Sequence, residues 1–195
     1  MRGISREEVQ DLTSYEKGRA AARIAVIRLR ELRRIQAGEK LSLVFENRQT
    51  VLYHIHEMVR AERMIEEAAI AHEIETYNAL IPGPGELSAT LFIELSEPGR
   101  IRDDLESFLG LDRGPHVSFD LGQEGRVFAR FEEGHSEETR ISAVHYVRFA
   151  FTPEQVRHFA SAEGSIDFVV EHPNYQWRGA LSPQARASLA SDFEE

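Results

Sequence analysis

The chain has 195 residues, of which 23 are Lys or Arg and 33 are Asp or Glu, giving a net charge of −10 with His neutral. That acidic balance argues against non-specific binding to nucleic acid or to an anionic membrane surface, while a hydrophobic fraction of 42% with 29% charged residues is globular composition rather than disorder. The absence of Cys excludes disulfides, thiolate zinc sites, iron–sulfur ligation and a cysteine nucleophile. With no signal-peptide core at the N-terminus and no run near the ~20 apolar residues of a membrane span, the expectation is a cytoplasmic protein.

In chain order, Tyr15 to Gln36 reads as a helix, with Ile24, Ile27, Leu32 and Ile35 as its apolar positions and Ala37-Gly38 as its end. Leu41 to Phe45 is a short strand. Asn47 is a good N-cap for a second helix from Arg48 to Asn78. Such a helix would be roughly 45 Å long, which calls for a bend, a break near Ala71 or a partner subunit. Pro82-Gly83-Pro84-Gly85 ends the helical part. Strands are then expected at Ala89–Leu95, His116–Leu121, Arg126–Phe131, Ile141–Phe151, Ser165–His172 and Tyr175–Leu181. Helices capped by Thr152-Pro153 and Ser182-Pro183 interrupt them, with a third over Arg100–Leu109. Most connections are too short for parallel crossovers. The expected fold is α+β: a long N-terminal helical hairpin (residues 1–81) packed on a mostly antiparallel sheet with short peripheral helices (residues 86–195), in one cooperative unit.

Projected at about 100° per residue, the second helix puts Val51, Ile55, Met58, Val59, Ile65 and Ala69 on one stripe, and Glu62, Glu66 and Glu73 fall inside the same arc. In the strands, His145 shares the parity of Val147, Phe149 and Phe151, and His172 that of Ile166, Phe168 and Val170. Buried carboxylates are costly unless paired, protonated or bound to metal. If the helix stripe packs on that sheet face, Glu62, Glu66 and His145 meet, with Glu73 and His172 beside them. Carboxylate and imidazole together suit iron, manganese or zinc, or acid–base work. The competing reading pairs the three glutamates with Arg19, Arg23, Arg30 and Arg34 of the first helix as plain salt bridges. His54 and His56 point about 160° apart on a helix and cannot share an ion. Phosphate-loop, dinucleotide and nucleophile-elbow motifs are absent, as is the Glu-x-x-His spacing of di-iron helices from the long helix.

Phe45-Glu46-Asn47-Arg48, Glu57-Met58, Arg60-Ala61-Glu62, Tyr77-Asn78, Leu80-Ile81-Pro82, Ser142-Ala143-Val144-His145, Arg148-Phe149 and His172-Pro173 with Tyr175 resemble a bacterial family of unknown function, domain of unknown function 3501. The resemblance spans nearly the whole chain and brings no catalytic residues. It implies association with rubrerythrin-like and iron–sulfur oxidoreductase proteins, hence a redox or oxidative-stress setting. The leading expectation is an accessory protein holding a metal ion or small polar ligand between the long helix and the sheet. Its rival is a non-catalytic adaptor that docks such redox partners. A homo-oligomer formed through the helices is also expected.

Overall fold

The computed structural model describes residues 1–95, 98–132, 134, 140–161 and 163–194. Eight strands form one antiparallel sheet in the order β1-β2-β3-β6-β5-β4-β7-β8. They are β1 (Arg34–Ala37), β2 (Leu41–Glu46), β3 (Glu86–Ile93), β4 (Val117–Asp120), β5 (Arg126–Phe131), β6 (Val144–Ala150), β7 (Asp167–His172) and β8 (Tyr175–Ala180). Alternation along these strands sends one parity, including Leu43, Phe45, Leu87, Leu91, Val147, Phe149, Phe119 and Phe168, into a single core. The sheet curls until that face meets itself. Phe45 of β2 lies 5.8 Å from Phe119 of β4, with three strands between them in the sheet, and Phe119 lies 4.9 Å from Phe149.

The two edge strands come together at the turn between β1 and β2. The Tyr175 hydroxyl donates to the Ala37 carbonyl at 2.6 Å. Gly38 makes this approach feasible: its φ is +72°, and a Cβ there would sit 2.2 Å from the Tyr175 oxygen. The result is a nearly closed barrel, with short edges left at β1 and β8.

Six helices are present among the described residues: α1 (Leu12–Leu32), α2 (Arg48–Ala61), α3 (Glu67–Asn78), α4 (Ile101–Glu106), α5 (Pro153–Ala160) and α6 (Pro183–Ala190). The Thr152 and Ser182 caps are in place, each accepting a backbone N–H of its own helix. α1 stops at Leu32, short of the expected Gln36. Arg34–Ala37 is instead strand β1, because Ile35 and Ala37, two residues apart, both fall on the buried parity opposite β2. The single helix expected over Arg48–Asn78 is two, and the break lies at Glu62–Glu66 rather than near Ala71. Arg63 takes φ +50° at the end of α2, with Arg63 N–H donating to the Arg60 carbonyl and Met64 N–H to the Val59 carbonyl. These are the paired bonds of a Schellman turn, with Arg in the left-handed position usually given to Gly. Ile65, expected on the buried stripe, is 77% exposed as a result.

Phe159 of α5 and Leu189 of α6 join the barrel core, whereas α2 and α3 build a layer outside it. Val51, Ile55 and Val59 of α2 join Ile70 and Ile74 of α3, Ile81, and Ile4 and Val9 of the N-terminal segment in a second, smaller core. Between α1 and α2 the expected arginine–glutamate contacts take other partners. Arg19 holds Glu57 through two bonds of 2.7 and 2.8 Å, joined by the Tyr15 hydroxyl at 2.7 Å, and Arg34 pairs with Glu94. The Arg19 guanidinium holds the Glu57 carboxyl down at about 2.

Arg33, 1% exposed at the end of α1, ties three elements together. It donates to the carbonyls of Phe45 (2.9 Å) and Glu46 (3.1 Å) in β2, to that of Ser188 in α6 (2.9 Å), and to Asp192 through both terminal nitrogens. A buried pair of this kind is costly to break from one side, because the remaining charge has no counter-ion. Asp192→Ala should therefore lower the unfolding free energy by about 3–5 kcal/mol, read from urea denaturation.

Candidate functional site

Because the apolar parity is consumed inside the barrel, the helices cover the opposite parity of β2, β3 and β6. That outer face carries Val44 and Glu46 from β2, Thr90 and Phe92 from β3, and Val144 and Tyr146 from β6. Ile27, Arg30 and Glu31 of α1, Arg34, His54 of α2, and Tyr77 and Leu80 at the end of α3 form the other walls. Between them lies a groove of about 510 Å³, within the size range of small-molecule sites.

Its polar groups are placed by local structure. Glu46 is the last residue of β2 and only 7% exposed. The next residue, Asn47, caps α2 by accepting from Thr50 N–H, while Asn47 N–H donates to the Thr50 hydroxyl at 2.9 Å. That hydroxyl donates to the Glu46 carboxyl at 2.5 Å, and the Thr90 hydroxyl approaches its other oxygen at 3.4 Å. One turn beyond Thr50, His54 comes to the same helix face and rests on Tyr77, with ring centroids 4.4 Å apart. Arg148 fixes the end of α3 over the groove through Glu86 (2.9 Å) and the carbonyls of Ala79 and Ile81.

Burial is the main cause that moves the His54 imidazole below its ordinary 6.5; the Arg30 charge pushes the same way and Glu46 opposes it. His54 is thus a neutral imidazole at pH 7, able to accept a proton or a hydrogen bond. Burial, then the charges of Glu73, Tyr146 and Glu62, raises the Tyr77 hydroxyl, which remains a donor. Arg34, on the rim, is occupied by Ser42 and Glu94. Arg30 is different: its Nε is buried and has no hydrogen-bond partner among the described residues.

The residues expected to form the site are not brought together. Glu62 is the exposed C-cap of α2, and Glu66 the exposed N-cap of α3, where its side chain caps nothing. Glu73 is half-buried and reaches the groove only through its charge on Tyr77. His145 is 1% exposed on the inner parity, opposite Leu91; its Nε2–H donates to the Ser142 carbonyl at 2.9 Å, and its ring meets the edge of Phe131. His172, 2% exposed, donates from Nε2 to the Leu109 carbonyl at 3.1 Å and accepts at Nδ1 from Asn174 N–H. The imidazoles lie inside the barrel and the carboxylates outside it. Among the described residues, no group of three or more His, Asp or Glu is placed to hold a metal ion, and no helix is long and apolar enough to cross a membrane.

Glu46, Arg30, His54, Tyr77 and Tyr146 are the groove residues the sequence reading missed as a set. A usable signal was the Glu46, Thr50, His54 spacing of four residues across a cap, which puts three polar groups on one side of a helix start.

The profile of a family described as protein of unknown function, DUF3501, matches residues 3–193. A crystal structure of a protein from Burkholderia pseudomallei K96243, described as a novel protein of unknown function, is similar to this chain with a TM-score of 0.89 and 28% identity, covering 98% of this chain and 99% of that one. No curated protein matches.

His54, His56 and His172 are all lowered, chiefly by burial. The unfolded chain therefore binds more protons as the pH falls, so their contribution to stability is complete above about 6.5 and is lost as the pH drops through the folded values. Urea midpoints measured from about pH 8 to pH 5 should fall accordingly. In imidazole NMR spectra, Arg30→Gln should lift the His54 titration toward its ordinary value and leave that of His172 unmoved.

Proposed function

The chain belongs to the DUF3501 family, and we propose that it is a small-molecule-binding protein whose ligand lies in the groove between the helices and the outer sheet face. One observation carries this reading. Polar groups that are expensive to hide, the Glu46 carboxyl, the neutral His54 imidazole and the unsatisfied Arg30 Nε, line one concave site whose other walls are Ile27, Val44, Leu80, Phe92 and Val144. A few convergent polar groups on apolar walls is the usual make-up of a ligand site. A purely architectural cluster would be expected to saturate its own donors, as Arg33 does elsewhere in the chain.

This is the small-ligand form of the pocket expected between helix and sheet, built from different residues. The redox setting implied by the family resemblance gives it a context, that of an accessory protein that holds or senses a small organic molecule. The His54 imidazole, held neutral chiefly by burial, also offers the ligand a hydrogen-bond acceptor.

Ligand-observed NMR with a mixed set of neutral and charged aromatic fragments tests the reading. Hits should appear for the native protein and disappear in Val144→Trp, which fills the groove from a 37% exposed wall position. A set with no hits, or hits that survive the substitution unchanged, would contradict it.

A further inference from the structure

Resting on that reading, we propose that the ligand is an organic monocarboxylate with a flat apolar body, its carboxylate held by the Arg30 guanidinium. Arg34, the other arginine of the groove, pairs with Glu94, and elsewhere in the helical layer Arg19 has Glu57, Arg33 has Asp192 and Arg60 has Glu16. Arg30 has none among the described residues, and its buried Nε–H lacks an acceptor. A planar guanidinium in that condition has the donor fork that fits a carboxylate through two parallel bonds.

The neighbours do not fill that role. Glu46 is engaged by Thr50 and Thr90. His54 is held neutral, in part by Arg30 itself, so the guanidinium has no second positive charge beside it. Glu46 and Glu31 also line the groove, and a doubly charged anion would meet more repulsion from them than a carboxylate does. This favours one negative charge over phosphate. Phe92, Tyr77 and Tyr146 supply aromatic surface for a flat body.

The test is a calorimetric titration of the full chain with benzoate, benzamide and inorganic phosphate. Benzoate should bind at least about tenfold more tightly than benzamide, the worth of one charge-assisted hydrogen bond, and phosphate should not compete with it. That advantage should vanish in Arg30→Gln and in Arg30→Met. The second variant keeps an unbranched apolar stem, so that a folding defect in one does not obscure the result. Equal binding of benzoate and benzamide, lost in Val144→Trp, would overturn the carboxylate assignment and leave the groove standing. Phosphate competing as well as benzoate binds would reduce the site to a simple anion site and also overturn it. Silence from both aromatic probes together with a fragment set that yields no hits would remove the groove as well.

Discussion

The fold turns on a sheet that closes on its own apolar face. Once Phe45, Phe119, Phe149 and Phe168 meet inside the barrel, that surface is no longer available to the helices. α1, α2 and α3 must cover the other parity, which is mixed in character: Ser42, Glu46, Ser88 and Thr90 alternate with the core residues of β2 and β3. Helices laid on such a face cannot seal it as they would an apolar one. They make their own small core away from the sheet, around Ile55 and Ile74, and leave a groove beside it. The site is thus a product of topology: a layer that has to pack on polar residues leaves room for a ligand.

Arg33 connects this architecture to the groove chemistry. By donating to the carbonyls of Phe45 and Glu46 it fixes the end of β2, where Glu46 turns outward and Asn47 starts α2. Its counter-ion, Asp192, comes from the C-terminal segment, so barrel, helical layer and terminus share one buried ion pair. The positions of Glu46, Thr50 and His54 follow from that anchor and from the cap geometry. In a partly desolvated setting each of these groups interacts more strongly with its neighbours than it would in water. That is why the His54 proton responds to both Arg30 and Glu46.

Much of the fold was legible in the sequence because local signals and tertiary structure agreed. Asn47, Thr152-Pro153 and Ser182-Pro183 start helices where their cap chemistry says they should, and β3 to β8 fall close to the expected strands. The parity of His145 and His172 was also read correctly, since both are buried with the residues of their own face. Two features were hidden. Arg63 ends α2 in a left-handed conformation with no Gly or Pro to announce it, so a projection carried through the break placed Glu62, Glu66 and Glu73 on a stripe that does not continue. Strand periodicity tells which residues share a face but not whether a helix or another strand covers it. Periodicity gives the imidazoles and the carboxylates the same buried character, and barrel closure separates them. The groove residues were obscured for the same reason, as Tyr146 and Thr90 lie on the parity that reads as solvent-facing.

The arrangement of the imidazoles offers the most direct test. Long-range proton–nitrogen NMR spectra of the eight histidines, recorded at neutral pH with and without added Zn²⁺, report the tautomer and the surroundings of each ring. Since the Nε2 atoms of His145 and His172 face the carbonyls of Ser142 and Leu109, both should carry a proton on Nε2, and their signals should not move when the metal is added. A shift of either ring on adding Zn²⁺, or an Nε2 without a proton at either position, would contradict the placement of these histidines inside the nearly closed barrel and with it the location of the site.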